Sequence, residues 1–389
     1  MNIKANKFPL ADTTWGQEEL DSMHRVIDSG KFTMGENVAE FERQFARYVG
    51  SKYCVMVNSG SSANLLMVAA LFYTSKSPLK RGDEVIVPAI SWGTSYFPLQ
   101  QYGLKLRFVD VDIETLNYDL AQLEKSITHN TRVIMSVNLL GNSNDYKKIS
   151  EIISNYDAIL IEDNCESMGA TFNGKHTGTF GLMGSFSTFF SHHISTMEGG
   201  HVVTDDEELY HILLTLRAHG WTRDLPKNNR ICSKDDNPFV ESFRFILPGY
   251  NVRPLELEGA IGIEQLKKIP SFIEGRRKNA EKFQQIMHSH SDLMIQQEIG
   301  NSSWFGFSLV IRNDSDITRE ELINNLTLFG FESRPIVAGN FSRSESIKYF
   351  DYEVPFKMKN AEYIENNGLF IGNHHYPMDE VFEALAQIL

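Results

Sequence analysis

Cysteine is scarce in this chain. Its 389 residues include 3, at Cys54, Cys165 and Cys232, far apart and without a CxxC pair. That excludes a disulfide framework, a cysteine-only zinc site and a four-cysteine iron–sulfur cluster. Basic residues are outnumbered, 37 Lys and Arg against 50 Asp and Glu, for a formal net charge of −13. Bulk electrostatic attraction to nucleic acid or to an anionic membrane is therefore not expected, although a few placed donors can still hold one phosphorylated ligand. No stretch reaches transmembrane length, and the opening MNIKANKFPLADTTW lacks the apolar run of a signal peptide. The expectation is a soluble protein of the reducing cytoplasm.

What is present is strand–helix alternation. Short apolar runs at Tyr53–Val57, Glu84–Pro88, Lys105–Val109, Arg132–Val137, Ala158–Glu162, Ser185–Phe190 and His201–Thr204 read as strands. Helical patterns at Ser62–Phe72, Leu120–Ser126 and Tyr146–Asn155 lie between several of them. The nearly continuous apolar runs VIVPA and AILIE suit strands buried on both faces, hence an α/β domain with a mainly parallel sheet flanked by helices. After about residue 255 the texture changes. A helix near Pro254, a second through Pro270–His288, strands at Trp304–Ile311 and Phe331–Arg334 and a helix at Asp316–Phe329 indicate a smaller α+β domain. The expected division is 1–254 and 255–389. The polar stretch Asp224–Pro238 reads as a mobile surface loop.

Four segments can carry chemistry. V-N-S-G-S-S-A-N at 57–64 follows a buried strand and opens a helix; small residues and serines there serve equally as a phosphate cradle or as an ordinary N-capped turn. A-I-L-I-E-D-N-C-E-S-M-G-A at 158–170 puts Asp163 at the carboxyl edge of the sheet, where open α/β folds bind ligands, though a turn or cap uses the same residue. S-F-S-T-F-F-S-H-H-I-S-T-M-E-G-G at 185–200 places Ser187, His192, His193 and Glu198 between two strands. Neighbouring histidines on an extended segment point opposite ways, and no HxH or HExxH accompanies them, so no metal site is expected. L-P-G-Y-N-V-R-P-L-E-L-E-G-A-I-G at 247–262 bears Asn251 and Arg253 on a loop entering a helix.

These four segments, in this order, resemble the sugar aminotransferase and dehydratase family built on the aspartate aminotransferase fold, fold type I. PLADTTW, the stretch at 30–35, EVIVPAISW and VNLLGN at 137–142 belong to the same likeness, which covers nearly the whole chain. The resemblance implies pyridoxal or pyridoxamine phosphate as cofactor. Gly60 and Ser61, with Ser187, would hold its phosphate; Trp92 would stack on the ring; Asp163 would pair with the pyridine nitrogen, keeping the ring an electron sink; and Glu166 would lie near the ring hydroxyl. Asn251 would reach the phosphate of a neighbouring subunit, implying a homodimer. His219, Arg253 and Glu198 rank lower, as groups near the substrate.

One position departs from the family. Its aminotransferases carry a Schiff-base lysine six residues before the Glu of E-G-G, and here that residue is His192. No lysine occurs between Lys175 and Lys227. Imidazole can move protons but cannot tether the cofactor, which is then held non-covalently. The same substitution marks a dehydratase branch of the family, which SHHISTMEGG, EDNCESMGATF and RAHGWTR closely resemble. The branch implies GDP-4-keto-6-deoxymannose and L-glutamate as small-molecule substrates, loss of the sugar C3 hydroxyl, and His192 as general base, with its ordinary pKa of about 6.5. Three rivals stay open. One is a sugar-nucleotide aminotransferase of the same fold. Another is an iron–sulfur-dependent dehydrase of CDP-linked sugar, which three scattered cysteines oppose. The last is a cofactor-binding sensor without activity.

Overall fold

The computed structural model describes residues 7–288 and 290–389. The first six residues of the opening segment lie outside the described residues. The apolar runs are strands of one large sheet: β1 (Tyr53–Val57), β2 (Glu84–Pro88), β3 (Lys105–Val109), β4 (Thr131–Val137) and β5 (Ile159–Asp163). After a small hairpin, β6 (Thr171–Phe172) and β7 (Lys175–His176), come β8 (Met183–Ser187) and β9 (Gly200–Thr204). Late in the chain, β13 (Tyr352–Glu353) returns to pair parallel with β3. The order is β1-β9-β8-β5-β4-β2-β3-β13, parallel from β8 to β13, with β9 antiparallel to both its neighbours. Every residue of β2, β8 and β9 is buried, as two-sided helix cover requires.

Helices α1 (Gln17–Ser29) and α2 (Glu36–Val49) precede the sheet. In α2 the buried set Val38, Phe41, Phe45, Ala46 and Val49 follows helical spacing and faces the core. Helix α3 (Gly60–Ala70) is instead almost wholly buried, including Leu66, Met67 and Val68. Helices α4 (Gly93–Gln101), α5 (Leu120–Ser126), α6 (Tyr146–Ile153) and α7 (Glu207–Arg217) follow successive strands, and α8 (Pro238–Glu241) is a single turn.

The rest is organised by α9 (Glu256–Met287), a 32-residue helix. Its first half packs Leu266, Ile269, Phe272 and Ile273 into the cluster with Phe41 and Phe45. Its second half packs Ala280, Phe283 and Met287 against Phe307 and Leu309. Those belong to a four-stranded antiparallel sheet, β10 (Leu293–Met294), β11 (Gly306–Ile311), β14 (Gly368–Gly372) and β12 (Ser333–Arg334), in the order β10-β11-β14-β12. Helices α10 (Arg319–Leu328), α11 (Lys359–Asn367) and α12 (Asp379–Ile388) complete it.

Several expectations need correction. The two helices expected around Pro254 and Pro270 are one. Pro270 removes an amide inside α9, but burial of the residues on both sides of it keeps the helix continuous, since packing outweighs propensity. The strand expected at Ser185–Phe190 ends at Ser187, and Phe189 and Phe190 are exposed in a turn. Within 224–238, Lys234 Nζ donates to the carbonyls of Thr222 at 3.0 Å and Leu225 at 2.9 Å.

Candidate active site

Parallel β4, β5 and β8 open their carboxyl ends on one side of the sheet, the side on which such sheets form a crevice. Asp163 ends β5 there, buried. Its Oδ2 accepts from Asn64 Nδ2 at 2.8 Å and from the Ser95 hydroxyl at 2.7 Å, and its Oδ1 accepts from the Cys165 amide at 3.1 Å. The Ser185 hydroxyl donates to Asn64 Oδ1 at 2.6 Å, so the carboxylate is fixed by a second layer of contacts.

Helix α3 begins against the end of β8. A Cβ at Gly60 would stand 2.7 Å from Ser187 Cβ and 3.0 Å from Cys165 Sγ. Only a residue without a side chain allows that approach. Ser59 caps the helix by accepting from the Ser62 amide at 3.1 Å, and the first amides of any helix have no intrahelical acceptor. The Ser61 hydroxyl donates to Thr94 Oγ1 at 3.1 Å, joining the first turns of α3 and α4. Trp92, at the start of α4, is 61% exposed, which leaves most of its indole uncovered.

The segment after β8 is a turn and not the extended chain expected: the His192 amide donates to Phe189 O at 2.9 Å and the Thr196 amide to Thr188 O at 2.9 Å. Adjacent histidines consequently do not take opposite faces. Both rings pack on Phe305, with centroids 5.3 Å away for His192 and 5.6 Å for His193. Hydrogen bonding separates them. His193 is fully buried and its Nε2 meets Ser303 O at 3.2 Å, which requires the proton on that nitrogen. His192 is half-buried, with an unpartnered Nδ1. Burial first, then the Arg276 guanidinium, lowers its pKa from 6.5 to about 4, so the ring is neutral at physiological pH. Glu166 Oε2 accepts from the Leu140 amide at 3.0 Å. Burial, with the charge of Asp163 adding to it, raises Glu166 to about 7 against that hydrogen bond.

Gly60, Ser61, Asp163 and Ser187 are thus joined with Trp92 through α3 and α4, while His192 meets the loop that carries Phe305 and Glu166 meets Leu140, whose carbonyl accepts from that loop. The remaining candidates gather elsewhere. Asn251 is exposed and accepts from Arg253 Nε at 3.0 Å. Arg253 lies 5.9 Å from the Trp221 ring, whose edge His219 meets at 4.7 Å. The next backbone carbonyl, Val252 O, accepts from the Asn58 amide at 3.0 Å, so this group borders the turn that leads into α3. Glu198 is exposed, and its charge helps burial raise the pKa of Glu258. Sequence reasoning missed Asn64, Thr94, Ser95, Ser185 and Arg276. Asn64 left a signal, as a lone amide inside an otherwise apolar helix; the others did not.

These residues fit pyridoxal phosphate. A fixed buried carboxylate suits a protonated ring nitrogen, a glycine–serine helix start beside Ser187 suits a phosphate, and an open indole suits a ring face. The two lysines that bound the gap around His192 are engaged elsewhere. Lys175 sits over the Phe180 ring at 4.8 Å, and Lys227 Nζ is 3.4 Å from Asp236. Fold and site together define a vitamin-B6-type crevice. The chain belongs to the DegT/DnrJ/EryC1/StrS aminotransferase family, whose model matches residues 13–386.

Within that family it is 60% identical over 384 residues to the GDP-4-keto-6-deoxy-D-mannose 3-dehydratase of Yersinia pseudotuberculosis, covering 98% of each chain. It superposes with a TM-score of 0.98 on Escherichia coli GDP-4-keto-6-deoxy-D-mannose-3-dehydratase with bound hydrated PLP, at 58% identity over 99% of this chain and 100% of that one. A structure of GDP-4-keto-6-deoxymannose-3-dehydratase with a trapped PLP–glutamate geminal diamine matches at 0.97 and 58%, over 98% and 100%. Among the described residues no helix is long and apolar enough to cross a membrane.

Proposed function

We propose that this chain is a 3-dehydratase of GDP-4-keto-6-deoxymannose that uses pyridoxamine phosphate held without a covalent tether, with L-glutamate restoring the amine. One observation carries the reading: a neutral, half-buried imidazole occupies the position at which the family carries its lysine, in a chain that also has a fixed buried carboxylate at Asp163 and a glycine helix start against Ser187. Bound there, pyridoxamine phosphate would supply an amine that condenses with the C4 ketone and a ring that accepts electrons as the C3 hydroxyl leaves. Asp163, oriented by Asn64 and Ser95, holds the proton on the ring nitrogen. Gly60, Ser61 and Ser187 bind the phosphate, and Trp92 covers the ring. His192 accepts the proton from the cofactor C4′ carbon, a contribution of about 10²–10⁴-fold for a placed general base. Glu166, titrating near neutrality, shares a proton with the ring hydroxyl. Having no primary amine, His192 neither tethers the cofactor nor releases an amino sugar early.

In the same reading the working unit is a cytoplasmic homodimer in which the exposed Asn251 reaches the partner's phosphate site, with His219, Arg253 and Glu198 near the substrate. Residues 1–254 form the cofactor-binding unit and 255–389 the smaller one, with β13 returned to the large sheet.

Incubating the protein with pyridoxal phosphate, glutamate and GDP-4-keto-6-deoxymannose tests the proposal. Ammonia, 2-oxoglutarate and a 3-deoxy ketose are expected. An amino sugar, or a borohydride-stable adduct of cofactor and protein, would return the chain to the aminotransferases; cofactor binding without turnover would favour the sensor.

A further inference from the structure

Arg276, on α9, is buried at 5% exposure, and among the described residues no carboxylate pairs with it. Its NH1 instead donates to three backbone carbonyls: Asn373 at 2.6 Å, Phe305 at 3.1 Å and Trp304 at 3.5 Å. Its Nε has no partner. Burying a cation against carbonyls alone is unfavourable for folding, so its retention calls for another role.

The carbonyls of Trp304 and Phe305 belong to a loop that touches the site on two sides. The Phe305 ring packs on His192 and His193, and Ser303 O holds His193. The amides of Ser303 and Phe305 donate to Gly141 O at 2.9 Å and Leu140 O at 3.0 Å, and the Leu140 amide donates to Glu166. Gly141 has φ +93°, and a Cβ there would stand 2.5 Å from the Trp304 amide nitrogen, so the two loops meet with no tolerance for a side chain. On the far side, Asn373 Nδ2 donates to Arg276 O at 3.1 Å and Trp304 O at 2.9 Å.

We infer that Arg276 is a positioning residue for the proton transfer. It pins the 303–305 loop behind His192, and its uncompensated charge adds to burial in holding that imidazole neutral. The inference rests on His192 being the base. The charged and titratable groups around this assembly are Arg276 and Arg277 on α9, His193 in the same turn, Asp163 and Glu166 after β5, and His374, His375 and Tyr376 beyond Asn373. A phosphorylated cofactor and a diphosphate sugar would add negative charge to Asp163 and Glu166, and such charge raises the pKa of a nearby imidazole. Arg276 is the fixed cation that opposes it, and it already contributes to holding His192 neutral.

The test follows the His192 ring directly, by NMR titration of ¹⁵N-histidine-labelled protein with and without pyridoxamine phosphate. The His192 signal is assigned by its loss in His192→Asn, and the pH dependence of kcat is measured in parallel. Arg276→Gln should raise the proton affinity of His192 by about tenfold and move the acid limb of kcat upward with it, while Arg276→Lys restores both. Arg276→Met, which keeps much of the side-chain volume and removes the charge, should act in the same direction and serves if Arg276→Gln does not fold. An unchanged His192 titration in these folded variants overturns the inference. A shifted titration with an unmoved kcat limb removes His192 as the base and with it the role of Arg276 in the proton transfer.

Discussion

Replacing His201 by Phe should make the protein selectively resistant to acid. His201 lies in β9, fully buried, stacked on Phe45 at 4.3 Å and edge-on to Phe41 at 4.9 Å, and neither ring nitrogen has a partner. Burial lowers its pKa from 6.5 to about 3. The unfolded chain therefore takes up a proton that the folded chain refuses. Stability from this residue is intact above about 6.5 and is lost as the pH falls towards 3. At about pH 5 the loss spans 1.5 pH units, and at about 1.4 kcal/mol per unit it comes to roughly 2 kcal/mol. Phenylalanine has no proton to take up. Its greater bulk adds an overpacking penalty of about 1 kcal/mol at any pH, so the quantity to read is the difference between two pH values. Urea unfolding of both proteins at about pH 7.5 and pH 5 should show the variant gaining roughly 2 kcal/mol relative to the parent on acidification. An equal stability difference at both pH values would refute the reasoning.

Three further outcomes follow from the site. His192→Lys should abolish the 3-deoxy product, and borohydride should then fix the cofactor to position 192; unchanged 3-deoxy product removes His192 from its role. Gly60→Ala puts a Cβ 2.7 Å from Ser187 Cβ, and a clash of about 1–3 kcal/mol should weaken pyridoxal phosphate binding about 5- to 150-fold in an absorbance titration, whereas an unaltered Kd would place the phosphate elsewhere. Asp163→Asn removes the charge held by Asn64 and Ser95 and should lower kcat by about 10²–10³-fold, the usual effect of deleting one preorganised electrostatic contact. A loss below tenfold would reassign the carboxylate.

Local pattern carried a large part of this protein. The apolar runs marked β2, β3, β4 and β5 to within one residue, because two-sided burial leaves little room for polar residues. The glycine–serine turn before α3 and the acid ending β5 were legible because a helix start and a strand end each demand particular residue types. The gap without lysine from Lys175 to Lys227 was a fact of order alone.

Tertiary structure decided the rest. Pro270 reads as a helix break, and only packing against α2 on one side and β11 on the other keeps α9 whole. His192 and His193 are alike in sequence; a carbonyl at Ser303, 110 residues away, engages the ring of one, while the Nδ1 of the other has no partner. Arg276 looks like a solvated helix cation until the loops at 304 and 373 close around it. Periodicity and spacing act between neighbours along the chain, whereas burial, carbonyl partners and an unopposed charge arise between segments that only folding brings together.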